Sequence, residues 1–147
     1  MNAVRFAERS KVARHESVHA SASIFLGTVP DEIRVIPVAH DQSGYIQGYC
    51  EGSMKHSANA VVIACGIIDG HGISDGQGEG DLHELERLVP DPDRRAEALD
   101  IAAQVMAHPE FVRVRNALWR HLQFIDRMLS DEIAKIATAA AGRPLVT

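Results

Sequence analysis

Apolar positions recur at helical spacing near the start of the chain. Residues 10–26 contain no glycine or proline, so nothing in them interrupts a helix. One side of that helix would carry Val12, His15, His19, Ala22 and Leu26. Ser10 is a suitable N-cap, and Gly27 with Pro30 marks the end. The spacing therefore predicts a helix over 10–26 that turns two histidines toward the interior or a cleft.

Two short runs rich in β-branched and aromatic residues follow this helix. Residues 33–38 (IRVIPV) and residues 44–49 (GYIQGY) are separated by a polar turn. Such runs joined by a polar turn are typical of a β-hairpin. Pro37 has no N–H to give to a neighbouring strand, so it indicates an edge strand or a bulge.

The middle of the chain combines an apolar stretch with a glycine-rich one. Residues 57–70 are almost wholly apolar and predict a buried helix. The segment 70–80 contains five glycines, which predicts a mobile loop. It has no G-x-x-x-x-G-K-[ST] pattern, so a nucleotide-binding loop is not expected. A short helix over 81–89 should follow, opening with Asp81.

The C-terminal third is predicted to be entirely helical. One helix is expected over 90–108 with Asp93 as its cap. A long last helix is expected over 110–141. Its apolar side is formed by Leu118, Leu122, Ile125, Leu129, Ile133 and Ile136. The predicted fold is therefore mainly α with a small β-hairpin (α+β), in one domain over residues 1–147.

Composition is that of a globular protein with one domain. With 147 residues the chain can bury a real core, and 46% apolar with 24% charged residues is ordinary for such a domain. A net charge of −5 without a basic cluster makes nucleic acid a poor partner. Neither a membrane span nor a secretory signal is evident. We expect a cytoplasmic protein in which Cys50 and Cys65 are free thiols.

The motif His15-Glu16-Ser17-Val18-His19 lies within the first predicted helix. Two histidines four residues apart project from one face of a helix, so both imidazoles can bind one metal ion. Glu16 would lie beside the open position of the metal, where a carboxylate can take a proton from water. The alternatives are a structural metal and an ordinary helix face with a hydrogen-bonded histidine pair. An inward-facing pair with a glutamate favours a zinc site that keeps a water.

A catalytic zinc usually has three protein ligands, so one more is needed. Metzincins require a glycine and a histidine at positions that hold Ala22 and Phe25 here, which excludes that class. Asp81 is the preferred third ligand, because it opens a predicted helix after a flexible segment. Its alternative role is a helix N-cap. The competing candidates are Asp69, Asp75, Glu79, His83 and Glu84.

In these residues and in the segments around them, the chain resembles the peptidase domain of FtsH-type zinc metalloproteases. The zinc-binding helix, 13–27, precedes a strand ending in Val-Ile-Pro and a second strand with Gly-Tyr, both within 31–49. The segments 60–69, 78–88 and 118–136 resemble the apolar helix, the segment with the third ligand and the closing helix of the family. The likeness covers about Val12 to Ile136. It implies a zincin-like helical metallopeptidase domain with Asp81 as the third zinc ligand.

The chain also departs from that family. Ser17 and Val18 stand where the family has Ala-Gly, and Gly80 stands where it has a small polar residue. The ATPase module and the membrane segments of the family have no counterpart in these residues. The expectation is a free-standing peptidase-like domain without a motor. The rings that the family forms suggest a homo-oligomer by analogy only.

These observations predict a zinc-dependent endopeptidase that hydrolyses unstructured polypeptides without ATP. Glu16 would be the catalytic base, and Zn²⁺ the cofactor. The strand 44–49, through Gly44, Tyr45 and Ile46, would offer an edge to an extended peptide substrate, although simple strand packing is the alternative for the tyrosines. Two other classes stay open. One is a zinc-binding, non-catalytic regulatory module, and the other is a metal-free helical interaction protein.

Overall fold

The computed structural model describes residues 3–37, 46–51, 56–70 and 77–145. These residues form six helices and a small antiparallel sheet, which confirms the prediction of a mainly helical fold with paired strands. In chain order the elements are α1 (Ala3–Phe25), β1 (Glu32–Pro37), β2 (Ile46–Glu51), α2 (His56–Gly70), α3 (Gln77–Leu88), α4 (Pro92–Ala107), α5 (Pro109–Leu122), β3 (Arg127–Leu129) and α6 (Ser130–Ala141). None of the described helices combines the length and the apolar character that a membrane crossing requires.

The helix α1 starts earlier than predicted and ends where expected. It begins at Ala3, because the residues before Ser10 also lack glycine and proline. Ser10 is therefore an interior residue and not an N-cap, and its carbonyl oxygen accepts a hydrogen bond of 2.9 Å from the indole N–H of Trp119. Gly27 follows the helix with φ of +104°, a left-handed conformation that glycine adopts without strain and that commonly ends helices.

The sheet has the strand order β2-β1-β3. The strands β1 and β2 pair antiparallel over their whole length, from Glu32 opposite Glu51 to Pro37 opposite Ile46. This confirms the predicted strand pair. β1 is not an edge strand, however, because β3 pairs with residues 32–34 on its other side. Pro37 lies beyond that paired part, so its missing N–H removes no bond to β3.

The predicted last helix is wrong in its middle, where α5 ends and β3 and α6 follow. No glycine or proline marks this break. Instead, the guanidinium of Arg9 donates hydrogen bonds to the carbonyl oxygens of Leu122, Gln123 and Ile125, which the helix would otherwise use itself. Tertiary bonds from α1 therefore replace helical ones. At this break Phe124 is 75% exposed, although it is a large apolar residue.

Three other boundaries differ from the sequence prediction. The helix α3 begins at Gln77, so Asp81 lies one turn inside the helix instead of capping it. The predicted glycine loop is therefore helical over 77–80, while residues 71–76 lie outside the described residues. The helix α4 is capped by Asp91, whose side chain accepts a 2.9 Å bond from the Asp93 N–H. The predicted apolar helix is confirmed as α2.

Two apolar cores lie on either side of α1. The first core joins α1 to β1, β3, α5 and α6, and includes Ile33, Leu118 and Met128. The second core joins α1 to α2, α3 and α4, and includes Val18 and Leu85. Because both sides of α1 are packed, several polar residues of this helix are buried, among them Arg9, His15 and Glu16.

Candidate metal centre

The helices α1 and α3 bring the three predicted ligands together. The Nε2 atom of His15 lies 2.9 Å from Oδ2 of Asp81, and Nε2 of His19 lies 3.1 Å from the same oxygen. The two Nε2 atoms are 3.1 Å apart. Three potential ligand atoms from three residues therefore meet at one point, although Asp81 is 62 residues from His19 along the chain.

This spacing fits a zinc ion. Zinc bonds of about 2.0–2.1 Å in a tetrahedral arrangement place neighbouring ligand atoms about 3.3 Å apart. The observed separations of 2.9 to 3.1 Å are close to that value. The three atoms thus form a triangle of about the size that three ligands of a tetrahedral zinc ion require.

The orientation of His19 calls for a proton or a metal ion at this point. Its Nδ1 lies 3.1 Å from the carbonyl oxygen of Val62 on α2. That oxygen only accepts, so Nδ1 must carry the proton, and Nε2 of a neutral His19 presents a lone pair. This lone pair faces the carboxylate of Asp81. Two acceptors at hydrogen-bond distance need a proton or a metal ion between them.

A buried carboxylate lies behind His15. The Nδ1 atom of His15 is 3.8 Å from Oδ2 of Asp69, and the other oxygen of Asp69 accepts a 3.0 Å bond from Arg14. Carboxylates in this position fix the ring orientation of metal-binding histidines and raise their basicity. The guanidinium of Arg14 also lies over the ring of Trp119, 5.2 Å from the ring centroid. Asp69, which the sequence offered as a competing ligand, thus lies behind His15 at ion-pair distance, beyond the length of a hydrogen bond.

Glu16 is buried beside the two histidines. A set of possible ligand atoms from His15, Glu16 and His19 lies within 4.8 Å. The Oε2 atom of Glu16 has no hydrogen-bond partner within the described part of the chain, which is uncommon for a buried carboxylate. Burial raises the pKa of Glu16, and the charges of His19 and His15 offset this only in part. The arrangement is that of a carboxylate prepared to take up a proton.

The side chains of His15, His19 and Asp81 strongly shift one another's pKa values. Burial alone would lower the pKa of His15, but Asp69 and Asp81 outweigh it and raise the pKa to about 10. Burial is the largest influence on the pKa of His19 and would lower it, but the hydrogen bond to Asp81 and the charges of Asp81 and Glu16 together raise it. Burial would raise the pKa of Asp81, whereas its bonds to both histidines hold it well below the usual range. Without a metal, the site therefore keeps protons on the histidines.

The other sequence candidates on α3 and in the segment before it are exposed, pair with other residues or are not described. His83 is exposed, and Glu84 pairs with Arg87 on α3. Asp75 is outside the described residues, and the side chain of Glu79 is not described. Part of the proposed substrate edge also lies outside the described residues. Gly44 and Tyr45 are outside the described residues, and of Ile46 only the backbone at the start of β2 is described.

Structural roles account for three further residues, namely Cys65, His108 and His121. Cys65 is buried, and burial raises the pKa of its thiol to about 12, which leaves it unreactive. The side chain of Cys50 is not described. His108 caps α5 by accepting a 3.1 Å bond from the Glu110 N–H, and His121 bonds the Ala117 carbonyl oxygen. Both histidines therefore make hydrogen bonds to the helix backbone.

Sequence reasoning missed the parts of the site that α2 supplies. These are the Val62 carbonyl, the supporting role of Asp69, and Gly66, whose backbone passes next to His19 and Asp81. A backbone carbonyl leaves no trace in the sequence. Gly66, in contrast, could have been noticed in the sequence, because a single glycine inside an apolar helix commonly marks close packing.

No protein-family model, no curated protein and no solved structure matches this chain. The resemblance to FtsH-type peptidases therefore stays a prediction from its motifs. The chemistry of the site has to be argued from the geometry of its own residues.

Proposed function

We propose that this protein is a zinc-dependent endopeptidase. His15, His19 and Asp81 would hold the zinc ion, and Glu16 would act as the general base. One observation carries the proposal: three ligand atoms converge at zinc spacing, and an unpartnered, buried carboxylate lies beside them. A purely structural metal site has no use for that carboxylate, because its four positions are closed by protein ligands.

Each residue of the site would have its own role in the reaction. When bound, zinc supplies a Lewis acid that lowers the pKa of a water molecule toward 7 and polarises the scissile carbonyl group. Glu16 takes one proton from that water and transfers it to the nitrogen of the leaving amine as the C–N bond breaks. The raised pKa of Glu16 makes it a stronger base than an exposed glutamate. The Val62 carbonyl holds the His19 ring in place, and the carboxylate of Asp69 lies behind His15, close enough to stabilise a positive charge on its ring.

The sheet offers a place for the substrate. β2 is an edge strand of the described sheet, since β1 and β3 occupy the other positions. Both β1 and β2 pack against α1, the helix that carries the motif. An extended peptide could add to the free edge of β2 by main-chain hydrogen bonds, which bind with little dependence on sequence. Such binding requires an unfolded stretch of chain, which supports unstructured polypeptides as the substrate class.

The two departures from the FtsH-type motif are accommodated by the packing. Val18 is fully buried in the second core, so its branched side chain fills space between α1 and its neighbours. The hydroxyl of Ser17 donates a 2.7 Å bond to the Arg14 carbonyl oxygen and is thereby satisfied. Neither residue lies between Glu16 and the ligands. These contacts support a zincin-like peptidase domain despite the altered motif.

The first test is the metal itself. Purified protein should bind about one zinc ion per chain, as three protein ligands and one open position imply. His15→Ala, His19→Ala and Asp81→Ala should each remove most of the binding. Glu79→Ala and Asp75→Ala, at positions the sequence left as alternatives, should not. Full zinc binding by the His15→Ala/His19→Ala double variant would rule out this site.

The second test is catalysis. A short fluorogenic peptide or a casein-like substrate should be cut by the zinc-loaded protein, and a chelator should stop the reaction. A stable folded domain should be spared, because only a small fraction of it is open at about 5–15 kcal/mol of stability. ATP should change neither rate. Stoichiometric zinc without cleavage of any unstructured substrate would instead identify a non-catalytic binding module.

A further inference from the structure

The closest approach of α2 to the metal centre is at Gly66. An ideal Cβ atom placed on this residue would lie well under 3.0 Å from Oδ2 of Asp81 and from Cε1 and Nε2 of His19, and real Cβ atoms essentially never come so close to other atoms. Two of these three atoms are the ligand atoms of the centre. The space that the missing side chain leaves is thus the space in which the ligands meet.

We propose that Gly66 is a residue of the metal centre, and that any side chain at this position prevents metal binding. The inference rests on the proposed function, since it needs the zinc site to exist. Gly66 touches no reacting atom, so it is a positioning residue. Its contribution is clearance: it lets the carboxylate of Asp81 and the ring of His19 lie against the helix backbone.

Helix stability alone does not account for a glycine here. Gly66 lies inside the 15-residue helix α2, where glycine costs about 1 kcal/mol relative to alanine. Its neighbours Ala64 and Cys65 carry side chains that pack in the second core. An alanine at position 66 would therefore suit the helix better, if the ligands did not occupy the space.

The atoms that a Cβ would meet also determine which property is lost. All three belong to side chains, and none belongs to the backbone. Side chains can turn aside at small cost, so the fold can adapt to an alanine. The side chains that must turn aside are the metal ligands, however, so the metal centre cannot adapt. The expected defect is loss of metal with retention of the fold.

The experiment compares Gly66→Ala with Gly80→Ala. Gly80 is a suitable control because it is also a helical glycine, on α3 next to Asp81, and an added Cβ there meets nothing within 4 Å. Zinc content and zinc affinity, by competition with a chromogenic chelator, are measured together with far-UV circular dichroism in chelator. Gly66→Ala should weaken zinc binding by at least about 100-fold, the upper end for loss of a supporting group. Its helix signal should be that of the wild type, and Gly80→Ala should bind normally.

The outcomes separate this inference from the proposed function. If the wild type binds zinc and Gly66→Ala binds it equally well, the role of Gly66 is refuted while the zinc site stands. If the wild type binds no zinc, both fail. Should Gly66→Ala not fold, it is combined with His19→Ala and Asp81→Ala, which removes the atoms that the Cβ meets. A triple variant that folds supports the clearance role, and one that stays unfolded refutes it.

Discussion

Two buried polar clusters lie on α1, and they differ in how their hydrogen bonds are used. The first is centred on Arg9, which is only 4% exposed. All three guanidinium nitrogens of Arg9 donate, to the carbonyl oxygens of Val35, Leu122, Gln123 and Ile125 and to the carboxylate of Asp126. The bonds are complete, and they join α1 to the segment between α5 and β3. The Arg9 cluster therefore stabilises the fold.

The second cluster, around His15, Glu16 and His19, is incomplete. Among the described residues four buried side-chain atoms have no hydrogen-bond partner, and three of them belong here: Nδ1 of His15, Oε2 of Glu16 and Oδ2 of Asp69. Buried polar groups left unpaired cost about 1–3 kcal/mol each. A protein keeps such groups where a ligand or a reaction uses them. The contrast therefore separates a cluster whose hydrogen bonds are complete from one whose hydrogen bonds are not, and the second is the one to which we assign the proposed function.

The largest expected effect falls on Glu16. Glu16→Gln keeps the shape of the side chain but removes the base, so peptide cleavage should fall by about 10²–10⁴-fold. Zinc content and thermal stability should stay near those of the wild type, because Glu16 is not among the three proposed ligands. Steady-state cleavage of a fluorogenic peptide, with zinc measured on the same sample, provides the test. Cleavage at the wild-type rate would leave Glu16 without the proposed role.

Arg9 should show the opposite behaviour. Arg9→Met removes the donors of buried carbonyl oxygens and should lower the free energy of unfolding by about 2–4 kcal/mol. Zinc binding by the folded protein should be unchanged. Denaturant unfolding followed by circular dichroism measures the first quantity, and Lys11→Met, on an exposed residue of the same helix, is the matched control. Loss of zinc affinity without loss of stability would break the distinction between the clusters.

A smaller effect is expected from Asp69, which supports His15 without binding the metal. Asp69→Asn should weaken zinc affinity by about 10–100-fold, because the amide can no longer orient and polarise the imidazole as a carboxylate does. The control is Glu84→Gln, which neutralises a carboxylate that pairs with Arg87 on the same helix as Asp81. Competition with a chelator measures both. Equal affinities in the two variants would argue against the support of His15 by Asp69.

The mildest perturbation is pH. The pKa of His15 is raised to about 10 and that of His19 is raised as well, so zinc must displace protons from the histidines at neutral pH. Zinc affinity should therefore rise with pH, by about tenfold per unit for each proton displaced. Calorimetry in buffers of different ionisation enthalpy counts these protons. An affinity that stays constant from pH 6 to 8 would contradict the raised pKa values.

Local spacing was sufficient to predict that His15, Glu16 and His19 lie together on α1, because side chains so close along one helix determine their own geometry. Asp81 needed more. Its position after the glycine-rich segment and the resemblance suggested it, yet the reason was wrong, since Asp81 lies inside α3 and not at its start. The break after α5 could not be predicted, because it depends on Arg9, more than 100 residues away in sequence. Interactions set by distant residues leave no local pattern.

The contact of Arg14 with Trp119 gives the protein an optical reporter. Trp119 is the single tryptophan of the chain, and its indole is held by the bond to Ser10 while Arg14 lies over its ring. Arg14 also binds Asp69, directly behind His15. A shift of Asp69 at the metal centre therefore changes the electric field at the indole. Intrinsic fluorescence can follow events at the centre in the unlabelled protein, because no other tryptophan contributes to the emission.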